Sequence, residues 1–271
     1  MKNKPYLIII CALILVTSHE AGGQSKDIAS VLLNLYDRIL FTSSDTEKER
    51  LNDSIIRIMN SYTASDSVLL HRFSNLRYMG QTLSSDARVK IITWNLILRD
   101  GTNRYYCYVI RKARKDKGNQ VTKLTGENRS EEIETGRSYS GGDWYGALYY
   151  AIEPCRKDYV ILGLDFGSEL VSRKVIDVLS FTPEGEIVFG KDIFIREDEK
   201  KFREVIEYSS ESVVTLRFNS PKKIVFDHLD SFSTGDGDEK SLGTGLSIDG
   251  YVYKKGIWKF TTGIDARNPR K

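Results

Sequence analysis

Histidine and cysteine are the scarce residues of this chain, each occurring three times in 271 residues. His19 and Cys11 fall among the first 23 residues, which leaves His71 and His228, one in each half of the chain. Zinc centres need three or four His, Cys or carboxylate ligands, mostly at tight local spacing, so no metal site is expected. The acidic turn "STGDGDEK" brings Asp236, Asp238 and Glu239 together, but Lys240 stands where an EF-hand would place another oxygen. It reads as a solvated turn. Also missing are a G-x-S-x-G elbow, a Walker loop and a dinucleotide fingerprint, so no cofactor is implied. Charge of one sign is lacking too. Forty basic residues face 37 acidic ones, a net of +3, too little to hold nucleic acid or an anionic membrane. No run is apolar for the roughly twenty residues a membrane helix needs; Leu7 to Val16 is a run of ten.

That short run has a different use. Lys2 and Lys4 precede it and Ala21-Gly22-Gly23 follow it. A basic start, a brief apolar core and small residues at the cut form the layout of a secretory signal peptide. Cleavage is expected between Gly23 and Gln24, leaving an exported chain, periplasmic or extracellular, with no transmembrane anchor. In such a compartment Cys107 and Cys155 either pair or stay as separate thiols.

From Asp27 the period is helical: Ile28, Val31, Leu32, Leu35, Tyr36, Ile39 and Leu40 form one stripe. Ser44 and Glu47 form a candidate capping box ahead of a second stripe, Leu51, Ile55, Ile58, Met59 and Tyr62. Leu69, Leu70 and Phe73 suggest a short third helix. From Val89 the period becomes two. "IITWNLIL" sets Ile92, Trp94, Leu96 and Leu98 against Ile91, Thr93, Asn95 and Ile97, and the Asp-Gly turn returns the chain as "RYYCYVI". About eleven strand-like runs follow one another through short turns, and short links favour antiparallel neighbours. The expected class is α+β, mainly β. Residues 24–82 form the helical segment behind a signal peptide at 1–23. Residues 83–271 form a large antiparallel sheet, as a curved meander, a sandwich or a barrel-like form, with a short propeller as the alternative. The polar stretch 111–142 reads as a long loop in it.

Candidate chemistry is thin. Asp177 shares a strand face with Val175, Leu179 and Phe181, a carboxylate in an apolar layer. It is a weak acid–base candidate, and Arg173, four residues back on the same face, offers it a structural pairing. Asp227 and His228 adjoin, but neighbours on a strand point to opposite faces, so either needs a partner from another strand. Asp177, Asp227 and Glu207 are the carboxylates a glycan-directed hydrolase would draw on. In "DWYGALYY", alternation puts Trp144, Gly146, Leu148 and Tyr150 on the core face and Tyr145 and Tyr149 on the other. Those two tyrosines are the candidate ligand-binding residues, set against plain core packing.

The blocks "ITWNLILRDGTNRYYCYVI", "WYGALYYAI", "YVILGLDF", "RKVIDVLSF", "KIVFDHL" and "GIDARNP" resemble a family of uncharacterised secreted proteins from Bacteroidota-type bacteria. The resemblance runs from about residue 80 to 269 and implies export and a β-rich body. At "LGLDFGSE" the chain departs from that family's Trp-Asp-Gly-Asn-like turn, so no ligand role passes to Asp165. No reaction is implied. The expected function is therefore an exported binding or interaction module with an envelope glycan, a peptide or an envelope protein as partner. The alternatives are the hydrolase and a purely structural envelope component, and the balance falls against an enzyme.

Overall fold

Two helices open the structure, a computed structural model that describes residues 20–112, 118–127, 132–233 and 240–264, with only the backbone of 20–27 and 230–246. The signal-peptide run and the acidic turn at 236–239 lie outside the described residues. Helix α1 (Glu20–Phe41) starts eight residues before the first residue of its apolar stripe, Ile28, so the expected cut after Gly23 falls at the end of its first turn. Helix α2 (Asp45–Thr63) is capped by Ser44, whose side chain accepts from the Glu47 amide. Only half of the capping box forms. Glu47 turns instead to Arg38 and Arg50, and the Ser44 amide bonds the Thr42 hydroxyl. The third helix shrinks to a 3-10 turn, Asp66–Leu69.

The chain then builds three sheets. The first has the order β1 (Gly80–Leu83), β2 (Val89–Ile97), β3 (Asn103–Lys112), β4 (Asn119–Glu127), all antiparallel. The second takes β5 (Tyr139–Ser140), β6 (Leu148–Cys155), β7 (Asp158–Asp165), β8 (Val171–Phe181) and β9 (Ile187–Phe189), in the order β5-β9-β8-β7-β6. Strands β10 (Phe194–Arg196) and β11 (Glu199–Lys201) begin the third sheet. The chain returns to pair β12 (Glu204–Ser209) with the first half of β8. It completes the third sheet with β13 (Leu216–Ser220), β14 (Lys223–Ser233), β15 (Lys240–Lys254) and β16 (Ile257–Thr261). The order there is β11-β10-β16-β15-β14-β13, and β10–β16 is a parallel pair among antiparallel ones.

Alternation along the strands explains how these sheets stack. Ile92, Trp94, Leu96, Tyr108 and Ile110 face the helices, while Val89, Ile91, Tyr105, Cys107 and Val109 face the second sheet. Within β8, Val175 and Leu179 turn back toward the first sheet, and Ile176 and Val178 turn toward Ile224, Phe226 and Trp258 of the third. The result is four layers, helices and then three sheets, with an apolar core in each gap. The second sheet is covered on both faces, which is why β7 reads as a nearly continuous apolar run. The body is mainly β, and its sheets do not close into a barrel.

One expectation needs correction and one open alternative is decided. Much of the polar stretch 111–142 is strand: β4 pairs along nearly all of β3, from Arg104 opposite Glu127 to Lys112 opposite Asn119. It reads as loop because its face toward the second sheet offers only Leu124 and Gly126, and its other face only the half-buried Val121. Of the two states open to the cysteines, the structure has the separate thiols. Cys107 lies between the first and second sheets and Cys155 between the second and third, and both thiols are free and buried.

Candidate functional site

The aromatic stretch at 144–150 does not alternate as its sequence suggests. Residues 144–147 precede β6, and Gly146 turns through a left-handed φ of 88°. A side chain there would meet the Tyr105 ring, since a Cβ would stand 2.5 Å from Cδ2. A bulge between Tyr149 and Ala151 then shifts the register once more. The two irregularities send Trp144, Tyr145 and Tyr149 into one core, and it is Tyr150 that emerges, 40% exposed. Tyr145 and Tyr149 are thus packed inside the protein and present no outer face to a ligand.

Every polar atom of that cage has a partner. The Trp144 indole donates to the Tyr149 hydroxyl at 2.9 Å, the Tyr145 and Tyr149 hydroxyls meet at 3.2 Å, and Tyr145 donates to Asp177 Oδ2 at 2.8 Å. Phe189 stacks on Trp144 and Tyr149. Asp177, wholly buried, also accepts from Arg203 Nε at 2.9 Å and from the Val178 amide. Burial pushes its carboxyl above the usual range, and the Arg203 charge draws it part of the way back. Arg203, equally buried, spends its other donors on the carbonyls of Glu134, Arg137 and Phe189. Gly190 makes room for it, because a Cβ there would fall on the guanidinium. Asp177 therefore has the structural role, but with Arg203 as partner and not Arg173.

Arg173 belongs to a second closed set. It bonds Asp165 Oδ2 at 3.1 Å and Glu207 Oε1 at 2.6 Å, while Tyr105 donates to Asp165 Oδ1 at 2.9 Å. The small void beside these groups, about 30 Å³, has room for about one water. Asp227, on β14, accepts from the Thr215 amide at 2.7 Å. Asp177, Asp227 and Glu207 do not line a common cleft, so no acid–base pair of the kind glycosidases use is assembled. His228 does find its partner across strands: Nδ1 lies 2.6 Å from Asp249 Oδ2 of β15, at the bulge between Asp227 and Leu229. Among the described residues no three His, Cys, Asp or Glu side chains gather as a metal would require.

The open site lies elsewhere, where the helices meet the ends of β2, β6 and β7. A cleft of about 460 Å³ separates them. Helix α1 contributes Tyr36, Ile39 and Leu40 to its wall, and Ile97, Leu148 and Phe166 complete the apolar lining. Tyr78 lies beside Tyr36, ring centroids 5.6 Å apart. The polar groups are few. Lys48 donates to the Ile97 carbonyl at 2.7 Å, Asn95 donates to the Asn103 amide oxygen at 2.6 Å, and Arg77 rests on the Tyr78 ring. Tyr36 is 4% exposed, and its hydroxyl has no hydrogen-bond partner. Burial raises its pKa well above the ordinary tyrosine value, so it remains a protonated donor.

None of this was legible in the residue pattern. Tyr36 reads as one more member of an apolar stripe, and the other walls come from five separate stretches of chain. The one available signal was a hydroxyl within that stripe, since a buried tyrosine normally needs a partner. Compared with family models, with curated proteins and with solved structures, the chain finds no match.

Proposed function

We propose that this protein is an exported binding module whose ligand seat is the cleft between the helical layer and the sheets. The cleft carries the reading. At about 460 Å³ it falls in the range of small-molecule sites, and it has their makeup, apolar and aromatic walls with a few polar groups. The candidate carboxylates, by contrast, are engaged in structural pairs, which leaves the binding reading ahead of the hydrolase. A purely structural component would need no concave site at all. Export rests on the basic start, the ten-residue apolar run and the small residues before Gln24, together with the resemblance to secreted proteins. No helix of the described residues is long and apolar enough to cross a membrane, which is compatible with a chain released after cleavage.

A thermal-shift screen of the cleaved chain against envelope glycans, short peptides and small amphiphiles tests the seat. The Ile97→Trp variant serves as the control, because Ile97 is 48% exposed at the cleft and a larger ring there fills it without entering a core. A stabilising compound should lose its effect in this variant while the unliganded melting temperature holds. Undiminished stabilisation in Ile97→Trp would place the seat elsewhere.

A further inference from the structure

The cleft's polar groups are one-sided, and that narrows what it takes. Two cations, Lys48 and Arg77, line it and no carboxylate does. Lys48 uses one N–H on the Ile97 carbonyl, and its nearest carboxylate, Asp45, stands 3.8 Å away. The Arg77 side chain is 73% exposed and has Asp37 at 3.9 Å, too long for a hydrogen bond. Tyr36 adds a buried aromatic ring to the wall, its hydroxyl oxygen closed to solvent. The hydroxyl donors of a neutral sugar would find few side-chain acceptors here, chiefly the Asn95 amide oxygen.

We propose that the ligand is a small amphipathic carboxylate, with its acidic head between Lys48 and Arg77 and its apolar body along Tyr36, Ile39, Leu148 and Phe166. This rests on the reading of the cleft as the ligand seat. A carboxylate is an acceptor without donors when ionised, and guanidinium and ammonium groups give it the stronger, charge-assisted hydrogen bonds. The apolar walls then gain from the body of the ligand by area removed from water. The head sits at the wetter rim because Arg77 is exposed, and the body lies inward because Tyr36 is buried. A simple alkyl acid and the C-terminal end of an apolar peptide share this chemistry.

Calorimetric titration separates the cases. Octanoate is compared with octanamide, and acetyl-Leu-Phe acid with its C-terminal amide, on the wild type, Arg77→Gln and Ile97→Trp. An acid should bind more tightly than its amide, and Arg77→Gln should weaken the acid about fivefold to tenfold while leaving the amide unchanged. The pair that shows this difference identifies the source of the head group. Equal binding of acid and amide, indifferent to Arg77→Gln but lost in Ile97→Trp, would overturn the anionic head and keep the cleft as a seat. Binding of none of the four, or binding unaffected by Ile97→Trp, would overturn both.

Discussion

Two aromatic regions of this molecule look alike in composition and differ in their hydrogen bonds. Around Asp177, Trp144, Tyr145 and Tyr149 fill the gap between the first two sheets, and each indole and hydroxyl is paired. Around the cleft, Tyr36, Tyr78 and Phe166 border open volume, and one buried hydroxyl has no partner. Aromatics whose polar atoms are all satisfied are serving the fold. Aromatics that border a void are where a ligand has apolar area to cover. Richness in tyrosine does not by itself distinguish the two.

The largest way to break this contrast is to open the closed region. Asp177→Ala strips Arg203 of its carboxylate in a fully buried site and should cost about 3–5 kcal/mol in denaturant unfolding. A loss below about 1 kcal/mol would mean that Arg203 is satisfied without Asp177. Lys90 offers a smaller test, because it is a buried charge held by neutral acceptors alone. Its ammonium donates to the Val68 and His71 carbonyls and the Tyr62 hydroxyl. Burial, reinforced by Arg72, lowers its pKa to about 8 from 10.5. Above pH 8 the unfolded chain therefore holds more protons at this residue than the folded one, and native stability rises with pH. Subtracting the stability of Lys90→Met from that of the wild type removes groups common to both. The difference should climb by roughly 3 kcal/mol up to the ordinary lysine pKa and be flat below pH 7.

The smallest effects form a mirrored pair. Tyr149→Phe takes the acceptor from the Trp144 indole, leaves that N–H buried and unpaired, and should destabilise by about 1–3 kcal/mol. Tyr36→Phe removes a hydroxyl that already has no partner and should stabilise by up to about 1 kcal/mol. If both substitutions destabilise equally, the distinction between the two regions fails.

The helices and the long strands were readable because each has one wall of apolar residues at a simple period. Leu32, Leu35, Tyr36 and Ile39 are buried as the stripe requires, and Ile92, Trp94 and Leu96 face the helices as alternation requires. Where a rule failed, a particular residue interrupted the period. Gly146 and the bulge at Tyr149 put Tyr145 and Tyr149 into the same core as Trp144 and turned Tyr150 out, and β4 escaped notice because Leu124 is its one large buried side chain. The pairing of Asp177 was half legible. Its apolar neighbours implied a buried carboxylate needing a cation, but the cation arrives from residue 203, beyond β9 and the β10–β11 hairpin. The same limit applied to His228, whose partner lies 21 residues on. The cleft lay beyond any periodic reading, since no two of its elements are related by spacing.

The parallel pair β10–β16 bears on how the protein is made. Strand β16, with the buried Trp258, sits between β10 and β15, so the third sheet stays in two pieces until residues 257–261 leave the ribosome. Until then β10 and β15 each have an unpaired edge, and such edges invite pairing with other chains. The late position of this one central strand thus makes closure of the third sheet one of the last steps of folding, after the first two sheets have all their strands.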